Sequence, residues 1–154
     1  MADALINRRA PSELHDLVGV DLPSTKWVEI DQSRIDLFAD ATDDHQWIHV
    51  DPARASDGPF AMTIAHGYLS LSLLGPLFSS VLDVSGASMV VNYGLDKVRF
   101  PAPLPVGSRV RLSSKIVSVE QVVGGVQIKV HALLEAESVT KPICVADALF
   151  RYFN

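Results

Sequence analysis

Cysteine is nearly missing. The one thiol in 154 residues, Cys144, has no partner for an internal disulfide, so a disulfide-stapled scaffold is excluded and a reducing compartment fits. Basic charge is also in deficit: 13 Lys and Arg against 18 Asp and Glu leave a net charge of -5. Such a chain has no bulk attraction for nucleic acid or an anionic membrane. The first residues lack an apolar run of signal-peptide length, being interrupted by Asp3 and Asn7, and a cytoplasmic location is expected. No Gly-x-Gly-x-x-Gly or Walker loop is present, nor a Gly-x-Ser-x-Gly elbow, which removes the usual signals for nucleotide phosphate binding and for a serine hydrolase.

What is there is an ordinary globular chain, 48% apolar and 20% charged, of a length that suits one domain over residues 1–154. Residues 1–25, broken by Pro11 and Pro23, read as a loosely organised lead-in. Trp27 to Ile30 alternates as a strand. Asp31 is placed to cap a helix running to about Ala41, and Asp51-Pro52 has the form of an N-cap and first position of a short helix. The stretch from Ile64 or His66 to Leu82 carries leucines at four-residue spacing and predicts one long buried helix, kinked by Pro76. Its Gly75, Pro76 and four serines argue against a membrane span. After it the period changes to two, predicting strands over Met89–Phe100, Val110–Val119, a run from Val126 and Ile143–Phe153, with Gly124-Gly125 as a hairpin turn. Helix first and antiparallel strands after it mean an α+β class, a curved sheet around one helix, with an edge or face left for a second subunit.

The candidate chemistry sits between Thr42 and Tyr68. His45 and His49 have zinc-protease spacing, but Gln46 stands where that motif needs a glutamate base. Asp40-x-Thr42-x-Asp44 has calcium-loop spacing, but His45 occupies the position that requires glycine. No metal is expected. Cys144 falls in an alternating strand, where a packed thiol is the simpler role. Asp44 and His49 form a carboxylate–imidazole pair able to hold and deprotonate a water; the same two residues would also serve as caps of a solvated turn. Gly67 opens the apolar helix. It either lets a carbonyl oxygen approach free helix N–H groups or merely permits a tight entry.

Taken together, Phe38-Ala-Asp-Ala-Thr-Asp-Asp-His-Gln-Trp-Ile-His-Val-Asp-Pro52, Ile64-Ala-His-Gly-Tyr68, Asn92-Tyr-Gly-Leu-Asp-Lys-Val-Arg-Phe-Pro-Ala-Pro103 and Val106-Gly107 resemble the MaoC-like dehydratases and R-specific enoyl-CoA hydratases, from about residue 25 to the end. The resemblance implies a hotdog fold, an antiparallel β-sheet wrapped around a long central α-helix, usually dimeric. It implies Asp44 and His49 as catalytic residues and Gly67 as the backbone donor to the thioester oxygen. It also places Gln46, Trp47, His66, Tyr68 and Asn92 at the substrate. The implied reaction is reversible syn hydration of a trans-2-enoyl-CoA to the (R)-3-hydroxyacyl-CoA, with no cofactor beyond the coenzyme A of the substrate. Two alternatives share the scaffold: an acyl-CoA thioesterase, and a non-catalytic subunit that binds acyl-CoA. Gln46-Trp47 replaces the Asn-Pro of many members, and Gly75 replaces a helix serine common in some hydratases.

Overall fold

A computed structural model describes residues 7–154. Its strands are β1 (Asn7–Arg9), β2 (Val28–Ile30), β3 (Leu82–Val84), β4 (Met89–Arg99), β5 (Ser108–Val122), β6 (Gly125–Ala136) and β7 (Cys144–Phe153). Five of them form one sheet in the order β2-β5-β6-β7-β4, every pair antiparallel. A separate parallel pair joins β1 to β3. The period-two pattern is realised along β6 and β7, where alternate residues are buried. The hairpin between β5 and β6 uses both glycines. Gly124 has φ +78°, and a side chain on Gly125 would strike the Tyr152 carbonyl.

Two expectations are corrected. The lead-in is not loose over its described part: residues 11–17 form a 3-10 helix whose Leu14 and Leu17 join Leu22 in the core. Residues 1–6 lie outside the described residues. The long helix is two short ones, α4 (Gly67–Ser72) and α5 (Leu74–Ser79), and Leu82 begins β3. Proline has no N–H for the carbonyl four residues back and its ring crowds that carbonyl, so the ladder cannot run through Pro76. Leu73 accordingly bonds three residues back to Ser70 at 3.3 Å, and Leu77 restarts on Leu73 at 3.1 Å.

Both short helices still lie in the concavity of the sheet. Leu69, Leu74 and Phe78 enter the same buried cluster as Leu112, Ile128, Val130 and Ala148. Phe78 stacks on Phe150 of β7 with centroids 5.1 Å apart. Cys144 is fully buried in that cluster, and burial pushes its thiol pKa up to about 11. A thiol so reluctant to ionise suits packing, not nucleophilic attack. Among the described residues no helix is long and apolar enough to cross a membrane.

The α-helical segments before α4 carry the site. In α1 (Gln32–Thr42), Asp31 accepts the Arg34 N–H, as expected of a cap. α2 (Trp47–Val50) and α3 (Pro52–Ser56) follow, with Asp51 accepting the Arg54 N–H at 3.0 Å.

Candidate active site

Asp43 ends α1 in the left-handed region at φ 59°, a conformation that Asp tolerates better than most residues. This turn leads Asp44 back toward the mouth of α4. His66, the residue capping α4, points its Nε2 at the Asp44 main-chain carbonyl, 2.9 Å away. A carbonyl only accepts, so His66 donates from Nε2. Its ring stacks on His49, centroids 3.8 Å apart and tilted by 26°, and Phe38 of α1 lies 5.0 Å from its centre.

His49 is buried, and its Nδ1 donates to the Ile64 carbonyl at 2.7 Å. That bond leaves Nε2 with a bare lone pair in the neutral ring. Burial holds the His49 pKa below its ordinary value; the Ile64 carbonyl and the Asp44 charge oppose the shift, and His66 adds to it. One carboxylate oxygen of Asp44 and one ring nitrogen each of His49 and His66 lie within 4.8 Å of one another. A water making two hydrogen bonds of ordinary length spans about 4.5 Å, so one water is able to bridge Asp44 and His49 across a separation of no more than 4.8 Å.

A cavity of about 350 Å³ opens beside His49, walled by Gly67, Ser70, Phe100, Leu104 and Ile143 among others. The first α4 bond on His66 is made by the Ser70 N–H at 3.2 Å, so the Gly67 N–H precedes the helix ladder. A side chain at Gly67 would come within 3.2 Å of the Phe100 ring. The glycine thus keeps the helix mouth open against a cavity wall.

The other expected site residues are dispersed. His66 is 2% exposed and stands behind His49, outside the cavity lining. Gln46 is exposed. Trp47 turns away to pack against Gly58 and beneath Arg54, whose guanidinium carbon lies 4.5 Å from the ring centre. Tyr68 is 71% exposed beside Phe100. Asn92 lines a second cavity, next to Gly75 and Leu95. Within the single chain none of these five lines the cavity beside His49. Tyr68 is on the outward face of α4, and Asn92 belongs to the edge strand β4.

His45 is separate again. It lies before α2, so the four-residue spacing to His49 has no helix beneath it, and its Nε2 meets Asp40 Oδ1 at 2.9 Å. That bond raises the His45 pKa. A metal shared by His49 and His66 is poorly served too, since rings stacked 3.8 Å apart hold their lone pairs in two nearly parallel planes, and an ion between them would lie out of both.

One supporting residue gave no sequence signal. Gln32 donates to the His49 carbonyl at 2.7 Å and accepts from Thr63 Oγ1 at 2.6 Å, bracing α2 against the chain leading to α4. It is a polar helix residue 17 positions away, with nothing in its spacing to mark it.

A sheet folded on two short helices, with a histidine and a carboxylate at the helix mouth, defines an enzyme of the hotdog hydratase/dehydratase class. Residues 16–139 match the MaoC like domain, and the chain belongs to that family. It is 51% identical over 142 residues to the 3-hydroxyacyl-thioester dehydratase Z of Mycobacterium tuberculosis (strain ATCC 25618 / H37Rv), covering 92% of this chain and 94% of that one. The fold is similar to the R-hydratase PhaJ1 of Pseudomonas aeruginosa, with TM-score 0.72 at 22% identity over 89% of this chain and 82% of that chain. It is likewise similar to the (R)-hydratase of A. caviae involved in PHA biosynthesis, with TM-score 0.69 at 20% identity, covering 88% and 96%.

Proposed function

We propose that the protein catalyses the reversible addition of water to a trans-2-enoyl thioester of coenzyme A, giving the (R)-3-hydroxyacyl thioester. The observation that carries this reading is the approach of the Asp44 carboxylate and a His49 ring nitrogen to within 4.8 Å, beside the cavity that Gly67 also lines. The thioester carbonyl draws electrons from the double bond, so water attacks C3 and negative charge gathers on the carbonyl oxygen. The Gly67 N–H, at the positive end of α4, stabilises that charge. Asp44 and His49 hold the water between them; one accepts its proton and the other helps return a proton to C2 on the same face. Neutral His49 with its lone pair on Nε2 suits proton acceptance near neutral pH. The chemistry needs no metal and no redox cofactor.

The active form is proposed to be a homodimer. β4 is an eleven-residue edge strand, with Met89, Val90, Tyr93 and Leu95 exposed. A long apolar edge is a template for pairing, and a second copy placed there would extend the sheet and enclose the neighbouring cavity. A cytoplasmic location accords with the lone reduced thiol.

Incubation with crotonyl-CoA tests the reaction. Loss of the enoyl absorbance without release of thiol, and a product of R configuration, is expected. Free thiol would mark a thioesterase instead, and binding without turnover a non-catalytic subunit.

A further inference from the structure

We propose that His66 is a positioning residue, one side chain that sets the geometry of both Asp44 and His49. The inference rests on the hydration reading. Three contacts of a single residue support it. The Nε2–H holds the Asp44 main chain at 2.9 Å, the ring backs the His49 ring at 3.8 Å, and the backbone runs straight into Gly67. Movement of His66 would therefore displace carboxylate, base and oxyanion donor together.

The ring is also more than filler. A neutral histidine donates from one nitrogen only, and here the donor is Nε2, so Nδ1 carries a bare lone pair. That atom is sealed from solvent and has no hydrogen-bond partner among the described residues. A phenylalanine would fill the same space without leaving a polar atom orphaned. What phenylalanine cannot supply is the bond to Asp44. The histidine combines a flat stacking face with one donor at a fixed distance from it.

The contacts are separable by substitution. A glutamine side chain places an amide N–H near the position of Nε2 and keeps the Asp44 tether without the ring, so His66→Gln removes only the backing of His49. His66→Phe keeps the backing and removes the tether. His66→Ala removes both. The titratable groups facing His49 are Asp44, from the loop after α1, and His66 itself; α1 presents uncharged Gln32, and the other residues of the cavity wall carry no titratable group. Removing the ring lets water reach His49, so its pKa rises toward the ordinary value and the acid limb of kcat/KM moves to higher pH.

Hydration of crotonyl-CoA by the folded variants across pH, with the histidine tautomers of the wild-type protein read by nitrogen NMR, tests this. His66→Ala should lose about 100-fold in kcat, the scale of a misplacement near 1 Å, with KM changed far less. His66→Phe keeps the burial of His49 and loses only the smaller contribution of His66 to the lowered pKa, so its acid limb should move up less than that of His66→Gln, at reduced kcat. His66→Gln should retain more kcat than His66→Ala and show the limb shifted upward. In the wild type, His66 should carry its proton on Nε2 and His49 on Nδ1. The positioning role is overturned if wild type is active and all three folded variants stay within twofold of it, or if their losses come with one unchanged limb and no rescue by glutamine. It is overturned equally, whether or not the variants fold, by an Nδ1–H tautomer at His66. Absence of hydration by the wild type with the expected tautomers would instead overturn the hydration reading and the kinetic role that depends on it.

Discussion

Replacing the two histidines nearest Asp44 one at a time should separate catalysis from proximity in sequence. His45 follows Asp44 directly, yet its ring is half exposed and committed to Asp40. His49, five residues on, is buried at the cavity with Nε2 free. Hydration of crotonyl-CoA by purified, folded variants should show His45→Ala within a fewfold of wild type. His49→Ala should lose about 10²–10⁴-fold, the worth of a general acid–base group, or roughly 3–5 kcal/mol of transition-state stabilisation. Asp44→Asn keeps shape but cannot take a proton, and should lose a similar factor. Because one water spans the gap of at most 4.8 Å between the two groups, removing the second after the first deletes nothing further. The double variant should sit within about tenfold of the worse single one. The pH profile supplies an independent sign. Burial lowers the His49 pKa, so a base in this position stays unprotonated below the ordinary histidine value and the acid limb of kcat/KM lies below pH about 6.5. An active His49→Ala beside a dead His45→Ala, or fully multiplicative losses in the double variant, would refute the reasoning.

Gly67→Val should cost about a hundredfold in rate, the value of one oxyanion donor. Its side chain would crowd the Phe100 ring, which a Cβ there already meets at 3.2 Å, and near-normal turnover by the folded protein would remove Gly67 from the site. Treatment with EDTA should leave hydration unchanged, because the stacked rings do not converge on an ion; a loss restored by zinc would show a metal at the pair. Ala61 holds φ 59°, so Ala61→Gly should raise stability to urea by up to about 1 kcal/mol, and a lowered midpoint would mean that the strain is relieved elsewhere. Light scattering at micromolar concentration should give twice the mass of the 16.7 kDa chain, with Leu95→Lys shifting it toward monomer; a monomeric wild type would leave the β4 edge without its proposed role.

Local chemistry was legible in the sequence wherever neighbours along the chain settle the matter. Asp31 and Asp51 cap the helices their spacing indicated, since a cap needs only the N–H three residues on. The strict alternation from Val126 became β6, and Gly124-Gly125 became its hairpin, because period two admits one buried face. Pro76 announced a disturbance, but not that the helix would split, since a kink and a break differ only in how the surrounding sheet accommodates the missing bond. Leu14 and Leu17 looked like a lead-in because what they pack against, β5 included, lies far along the chain. The site divides in the same way. Asp44, His49 and Gly67 could be singled out as residue types at suggestive spacings, whereas what orients them is long-range. The Ile64 carbonyl selects the His49 tautomer, Gln32 braces its main chain, and His66 reaches back 22 residues to Asp44. Gln46, Trp47, Tyr68 and Asn92 lie close to those residues in sequence or motif, yet helix rotation and sheet order point them elsewhere. Periodicity and caps depend on a few neighbouring residues and are therefore written locally; the direction in which a side chain faces across the fold depends on what packs behind it, and that only the tertiary structure decided.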